Sequence, residues 1–443
     1  MKTAPIILMR LATGILSAIA LSSKKKSTQQ ASLPRGLRRK RHARDLYKLP
    51  RSAALSHLYL AAEAVAPPNY PPESVFSPSA LWEWFRSYVS YVFRKRHTFP
   101  PYTASPQSAM YDLLDENGTD NVRIALAGDW ATGTDEAERV AGQMNKFAPH
   151  FTIHIGDVYY VGDPPEVNEN CLGITNPSNN YEPVTWPIGT LGSFAMNGNH
   201  EMYANGGGYF DVFLPELGLC VNGQRKGQQT SFFCIQNAHW RIIAIDTGYN
   251  CIGLPILGQI PIINKIPGIG ANCKLPAELM DWLSTVVLVK QDNRGLIIMS
   301  HHQYYSGFEG EFHKPAQQLW AAGIRRPVLW FWGHEHRLAG YDLYGSDRLQ
   351  AFGRCVGHGG MPLTLKAPCP MQPTPKFYDV RKGVSGYGIN GHVNLAFSGP
   401  NLQATYVDLD GTETLHEGWS ADAQGTIQLV SQKKLIPDPD FHA

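Results

Sequence analysis

Cysteine is scarce in this chain, with seven residues among 443, all between 171 and 369. That excludes a dense disulfide scaffold, and their spacing matches no metal-binding cysteine pattern. Long apolar runs are also missing. The stretch Leu11 to Leu21 is too short and too interrupted by Thr and Ser to read as a membrane span. No internal repeat recurs. What the chain does have is 43 % hydrophobic and 11 % aromatic residues, enough for a large core, with 42 Gly and 32 Pro. Such a balance suits a loop-rich α/β protein rather than a helical bundle.

Five short motifs stand out: Gly128-Asp129-Trp130, Gly156-Asp157-Val158-Tyr159-Tyr160, Gly198-Asn199-His200-Glu201, Ser300-His301-His302 and Gly333-His334-Glu335-His336. A Gly-Asp pair alone is common in turns, so the signal lies in the set and its order. Together they offer two carboxylates (Asp129, Asp157), an amide oxygen (Asn199) and three imidazoles (His301, His334, His336). Those are the donors a pair of metal ions needs, one carboxylate being able to bridge. Two ions roughly 3.5–4 Å apart can clamp a phosphoryl group and lower the pKa of a bound water to about 7. Gly128, Gly156, Gly198 and Gly333 stand before or beside these donors, where a chain leaving a strand must turn sharply.

Each motif follows a short apolar run that reads as a strand: Val122–Leu126, Phe151–Ile155, Ser193–Met196, Gly295–Met299 and Val328–Phe331. In open α/β sheets, sites form where loops leave the carboxyl ends of strands, so five strands deliver five donor loops to one rim. Between the first two, Ala137, Val140, Ala141 and Met144 recur at helical spacing and predict a βαβ unit with a helix over 135–147. Asn394–Phe397 and Leu402–Val407 predict a closing hairpin.

These motifs resemble the metallophosphoesterase (calcineurin-like) superfamily, and within it the purple acid phosphatase branch, over roughly residues 121–420. The resemblance implies an α/β four-layer sandwich of two mixed β-sheets flanked by helices, with a dinuclear metal site at the sheet rim. By position, Asp129, Tyr160 and His336 resemble the ligands of the first metal, Asp157 the bridge, and Asn199, His301 and His334 the ligands of the second. The first metal would be iron(III) bound by a tyrosinate, the second iron, zinc or manganese. Tyr160 occupies the tyrosine position of the Gly-Asp-x-x-Tyr motif, and by that spacing Tyr159 points elsewhere. One departure is Ala131, where the family's first motif carries Gly.

The implied activity is hydrolysis of phosphoesters, with monoesters favoured by Tyr160 and a small-molecule substrate expected. A metal-bridging hydroxide would attack phosphorus in line, and His200 would protonate the leaving group. No Cys-x5-Arg or other nucleophile signature calls for a covalent phosphoenzyme. Glu201 is expected to orient His200, and His302 to contact substrate or pack beside a ligand. His313 is the nearest candidate for the branch's substrate histidine. His358 lies in a loop able to reach the rim or to serve structure, and His154 reads as a satisfied core histidine. Alternatives are a phosphodiesterase or pyrophosphatase of the same fold, or a non-catalytic membrane- or partner-binding relative.

Charge divides the chain further. Residues 1–50 carry 12 Lys/Arg and one acid, a net of +11, against −9 for the remainder. This reads as a basic arm or targeting segment, with a lean towards export or membrane association. A membrane-surface contact fits it better than nucleic acid does. Residues 51–120 form an extension with an amphipathic helix over 77–96, residues 121–430 the catalytic domain and residues 431–443 a tail. Cys251 and Cys273 bracket an apolar Gly/Pro/Ile insertion that either carries a disulfide, stabilising by about 3 kcal/mol in the chain-entropy model, or packs with free thiols. Cys220 and Cys234 are placed to bridge a hairpin. The oligomeric state is open.

Overall fold

The strand Arg123–Ala127 sorts its side chains by parity. Ile124 and Leu126 enter one buried cluster while Ala125 and Ala127 enter another. The same split recurs at Phe194 and Ala195. Period-2 alternation with both faces apolar means a sheet covered on both sides. The computed structural model describes residues 90–436 apart from 92–93, 106, 178–181, 253–271, 364, 366, 370–372 and 384–385, together with the backbone of 441–442. The expected basic arm, most of the expected 77–96 helix and most of the 252–272 insertion lie outside the described residues.

Two nine-stranded mixed sheets form the centre. One runs edge to edge through Met110–Asp112, Phe233–Gln236, Trp240–Ala244, Gly295–Ser300, Val328–Trp332, Ala351–Val356, Leu338–Tyr344, Phe377–Asp379 and Phe441–His442. The other runs through Ile427–Lys434, Glu413–Ala421, Asn401–Asp408, Gly391–Ser398, Arg123–Ala127, Phe151–His154, Gly192–Ala195, Gly218–Val221 and Gln224–Arg225. Ile124, Ile153 and Phe194 of one sheet share a buried cluster with Phe233, Ile243, Ile297 and Phe331 of the other. A buried ion pair joins the sheets as well. Arg354 donates from Nε and Nη2 to the two oxygens of Glu417, each at 2.8 Å.

All five expected strands form. Arg123–Ala127, Phe151–His154 and Gly192–Ala195 are mutually parallel in one sheet, and Gly295–Ser300 is parallel to Val328–Trp332 in the other. The helix Asp135–Lys146 (α1) links the first two. Thr134 caps it, its side chain accepting from Ala137 N, and Asp135, Glu136 and Glu138 suit the positive end of the helix dipole. Its buried residues are the four anticipated, Ala137, Val140, Ala141 and Met144. The closing hairpin pairs Gly391–Ser398 with Asn401–Asp408 and docks on Arg123–Ala127.

The chain beyond 430 does not leave the fold at once: Ile427–Lys434 pairs with its neighbour as far as Lys434, and Phe441 pairs with Asp379. All seven cysteines are free thiols. A Cys220–Cys234 bridge is ruled out by topology, because Cys220 pairs with Arg225 in one sheet and Cys234 with Ile243 in the other. At the base of the 252–272 insertion, Asn250 Nδ2 donates to Lys274 O at 2.6 Å, and Cys251 and Cys273 are both buried. Among the described residues, no helix is long and apolar enough to cross a membrane.

Candidate metal centre

The loops leaving the parallel strands of the two sheets press against each other. A Cβ on Gly128 would lie 3.1 Å from Gly333 Cα, and one on Gly156 would lie 2.7 Å from His301 Nδ1. Side chains are therefore excluded where the backbones cross, and the residues beside those glycines carry the turn. Asp129, Asp157 and His334 adopt φ of 55°, 73° and 66°. A left-handed conformation is uncommon outside glycine and costs about 1–3 kcal/mol, so it persists where the surroundings impose it. That three candidate donors share it marks this rim as a built site.

Asp129 Oδ2 accepts from His334 N at 2.7 Å, and its Oδ1 lies 3.3 Å from His336 Nε2. Asp157 Oδ1 accepts from His200 N at 3.0 Å. Asp157 Oδ2 lies 3.2 Å from His301 Nε2. His301 Nδ1 donates to Ile155 O at 2.8 Å, which turns Nε2 inward, where it also lies 3.2 Å from Asn199 Oδ1. Asn199 Nδ2 donates to Tyr203 Oη at 3.2 Å, which fixes the amide with its oxygen towards His301. The sequence's six non-phenolic donors thus converge. Ligand atoms of Asp129, Asp157 and His301 fall within 4.8 Å of one another, as do those of His301, His302 and His334.

Burial alone would push the Asp157 carboxyl up, but the charges of His301 and His200 hold it well below the usual carboxylate range. Burial opposes a charged His301, yet Asp157 wins and raises this imidazole to about 9. Both carboxylates are at most 1 % exposed. Among the described residues they contact imidazole, phenol and backbone amide groups. Two carboxylates, an amide oxygen and a ring of imidazoles, packed this closely and away from water, fit a pair of metal ions.

The phenol at the centre is Tyr159, not the expected Tyr160. Tyr159 Oη donates to Asp129 Oδ1 at 2.8 Å, and lies 3.1 Å from Asp157 Oδ2 and 3.0 Å from His336 Nε2. Register explains the difference. Val158 bridges Ala131, and Tyr159 N donates to Ala131 O at 3.0 Å, which lays residue 159 alongside the first motif. Tyr160 presents its carbonyl to His200, 2.6 Å from Nδ1. A carbonyl only accepts, so Nδ1 carries the proton and Nε2, 3.8 Å from Asp157 Oδ2, faces the cluster.

Other expectations fare differently. Glu201 does not orient His200; its Oε2 accepts from Asp157 N at 3.2 Å and Gly198 N at 3.1 Å, clamping two donor loops together. His302 is buried at the cluster, its ring 4.5 Å from that of His334. His313 is not brought there. It begins the helix His313–Ala322 (α2), with Nδ1 2.6 Å from Asp347 Oδ2 and Nε2 3.2 Å from Glu311 Oε2, while Phe312 packs on His302 instead. His358 sends its loop, not its ring, to the rim: Gly360 N and Met361 N donate to Asp129 O at 3.0 and 3.1 Å. His154 accepts from Gly156 N at 3.2 Å, but its Nε2 has no partner, so it is less satisfied than expected.

Motif spacing pointed away from Tyr159 and gave no sign of Thr247. Thr247 Oγ1 accepts from His302 N at 3.0 Å and lies 3.1 Å from His302 Nδ1. Its signal was the run Trp240–Ile245, apolar but for Arg241, ending in Asp246-Thr247-Gly248, a sixth strand-to-turn junction.

The calcineurin-like phosphoesterase family model matches residues 122–338, which span all five motifs. No curated protein sequence matches the chain. Solved structures similar to it include the anchor in the inner membrane complex of Plasmodium, at 14 % identity and TM-score 0.42, covering 71 % of this chain and 88 % of that one. A purple acid phosphatase from yellow lupin (Lupinus luteus) seeds aligns at 17 % identity and TM-score 0.41, over 67 % of this chain and 53 % of that one. A dimetal phosphatase from Danio rerio aligns at 9 % identity and TM-score 0.36, over 64 % and 95 %.

Proposed function

We propose that this chain, which the calcineurin-like phosphoesterase family model matches over residues 122–338, hydrolyses phosphoesters of small molecules, monoesters foremost, with two bound metal ions. The observation that carries this reading is the convergence of Asp129, Asp157, Asn199, His301, His334 and His336 at one buried rim. Asp157 would bridge. Asp129 and His336 would hold one ion, and Asn199, His301 and His334 the other. Iron with iron, zinc or manganese suits this mixture of carboxylate, imidazole and phenol. When bound, such ions neutralise charge on the phosphoryl oxygens and lower the pKa of a water.

The chain's own groups then have distinct tasks. Glu201 and the left-handed turns at Asp129, Asp157 and His334 hold the donors rigid, so little reorganisation is required as charge develops. His200, its Nδ1 proton committed to the Tyr160 carbonyl, presents Nε2 beside Asp157 and would deliver a proton to the leaving oxygen when both nitrogens are protonated. Tyr159 would take the role first expected of Tyr160, since its phenol contacts both Asp129 and His336. Diester or pyrophosphate cleavage is the second reading, since the donor set serves either and the choice rests with the surrounding loops.

The test is hydrolysis of an aryl phosphate beside a bis-aryl phosphate by metal-loaded full-length protein. Faster turnover of the monoester is expected. Preference for the diester would move the protein to the phosphodiesterases of the family, and no turnover of either, with metal bound, would favour a non-catalytic relative.

A further inference from the structure

His301 and His302 are consecutive, and in a continuing strand their side chains would face opposite sides. They do not. Ser300 Oγ, itself held by Trp330 Nε1 at 2.8 Å, donates to His302 O at 2.7 Å. Thr247 Oγ1 accepts from His302 N at 3.0 Å. The chain is folded back just past the strand, and both rings turn to the same side. Their centroids are 4.9 Å apart, and His334 lies 5.3 Å from one and 4.5 Å from the other. Ligand atoms of all three fall within 4.8 Å of one another.

The ring also has a polar neighbour on one side. His302 Nδ1 lies 3.1 Å from Thr247 Oγ1. If Nδ1–H donates to that hydroxyl, Nε2 keeps its lone pair for a ligand, the pattern usual for metal-bound histidine. Phe312 closes the outer side, its ring centroid 5.0 Å from that of His302 and 6.0 Å from that of His334, which keeps water from that face.

We propose that His302 is itself a metal ligand, giving the second position three imidazoles (His301, His302 and His334) with Thr247 as the residue that positions the third. The inference rests on the dinuclear reading above and sharpens it. A nitrogen-rich position favours a borderline cation such as zinc over magnesium or calcium, which prefer oxygen donors.

The experiment uses full-length protein stripped with a chelator and titrated with zinc against a chromophoric competitor, for wild type, His302→Ala, Thr247→Val and His334→Ala. Zinc affinity is the readout, so hydrolysis is not needed to judge the result. Wild type should bind two zinc ions, and His302→Ala should weaken one of them by about 10–100-fold or more, the loss usual even for partners one step removed from a metal. Thr247→Val should weaken the same ion less, and His334→Ala marks which ion it is. Melting temperatures of the metal-free variants check folding. X-ray absorption of zinc-loaded wild type needs no variant and averages over both ions, so it should count the four imidazoles of His301, His302, His334 and His336 in total, where three would leave His302 out. Unchanged affinity for both ions in His302→Ala, together with a raised KM for aryl phosphate, would overturn the proposal and make His302 a substrate contact. Failure of wild type to bind two ions would instead overturn the dinuclear reading along with it.

Discussion

Gly198 has an ordinary backbone conformation, φ −101°, so replacing it with alanine costs nothing in strain and everything in space. Its Cβ would stand 2.1 Å from Asp157 Oδ1 and 2.7 Å from Asp157 N, where ordinary contact begins at 3.4 Å. The carboxylate oxygen must therefore retreat by about 1.3 Å. Overpacking of this kind costs about 1–3 kcal/mol of stability, and a misplacement near 1 Å costs on the order of 10²-fold in rate. Gly198→Ala should thus fold with a lowered melting temperature and lose about 10²-fold in kcat, with at least one of the two metals bound more weakly. Gly142→Ala is the control. It lies inside α1 with nothing within 4 Å of the added Cβ, so it should stabilise by roughly 0.5–1 kcal/mol and leave turnover alone. The assays are metal content by mass spectrometry, kcat per folded molecule and thermal unfolding. Wild-type turnover and metal content in folded Gly198→Ala would refute the placing of Asp157 at the reacting centre.

Tyr159→Phe should abolish any visible tyrosinate–iron absorption in iron-loaded protein while Tyr160→Phe retains it; the reverse pattern would restore the motif spacing over the observed register. Burial holds His392 at about 3 and His358 at about 4, both below the ordinary value of 6.5. Each therefore contributes stability that is present above pH 6.5 and lost as pH falls from there towards its folded value, at about 1.4 kcal/mol per pH unit. His392→Leu should make the decline between pH 6.5 and 4.5 shallower by one proton in denaturant titrations, and an unchanged slope would count against it. Glu417→Ala strands the buried Arg354 guanidinium and should cost about 3–5 kcal/mol, read as a lower denaturant midpoint; adding Arg354→Met should recover much of the loss.

How far the sequence could be read depended on whether a feature was local. The five donor strands and α1 were legible because apolar runs and a capped, periodic helix carry their own signals, and because each donor follows its strand directly. The choice between Tyr159 and Tyr160 was not local. Tyr159 lies against the donors because Val158 bridges to Ala131, a pairing between two loops that spacing within one motif cannot report. Glu201 misled for a related reason: its neighbour in sequence is His200, but its carboxylate reaches the amide of Asp157, 44 residues away. His313 carried the right chemistry, yet Asp347 claims it from 34 residues downstream. Thr247 was invisible because a hydroxyl after a strand has many uses. The fold-back that turns His302 beside His301 depends on it and on Ser300.

The most direct test of the dinuclear account compares wild type with Asp157→Asn in one experiment, counting bound metal ions and measuring aryl phosphate hydrolysis. Asp157 is the carboxylate that His301, His200 and Tyr159 all contact. Two ions and turnover are expected for wild type, and for Asp157→Asn fewer ions and turnover lower by about 10² or more. Two firmly bound ions and undiminished hydrolysis in Asp157→Asn would contradict it.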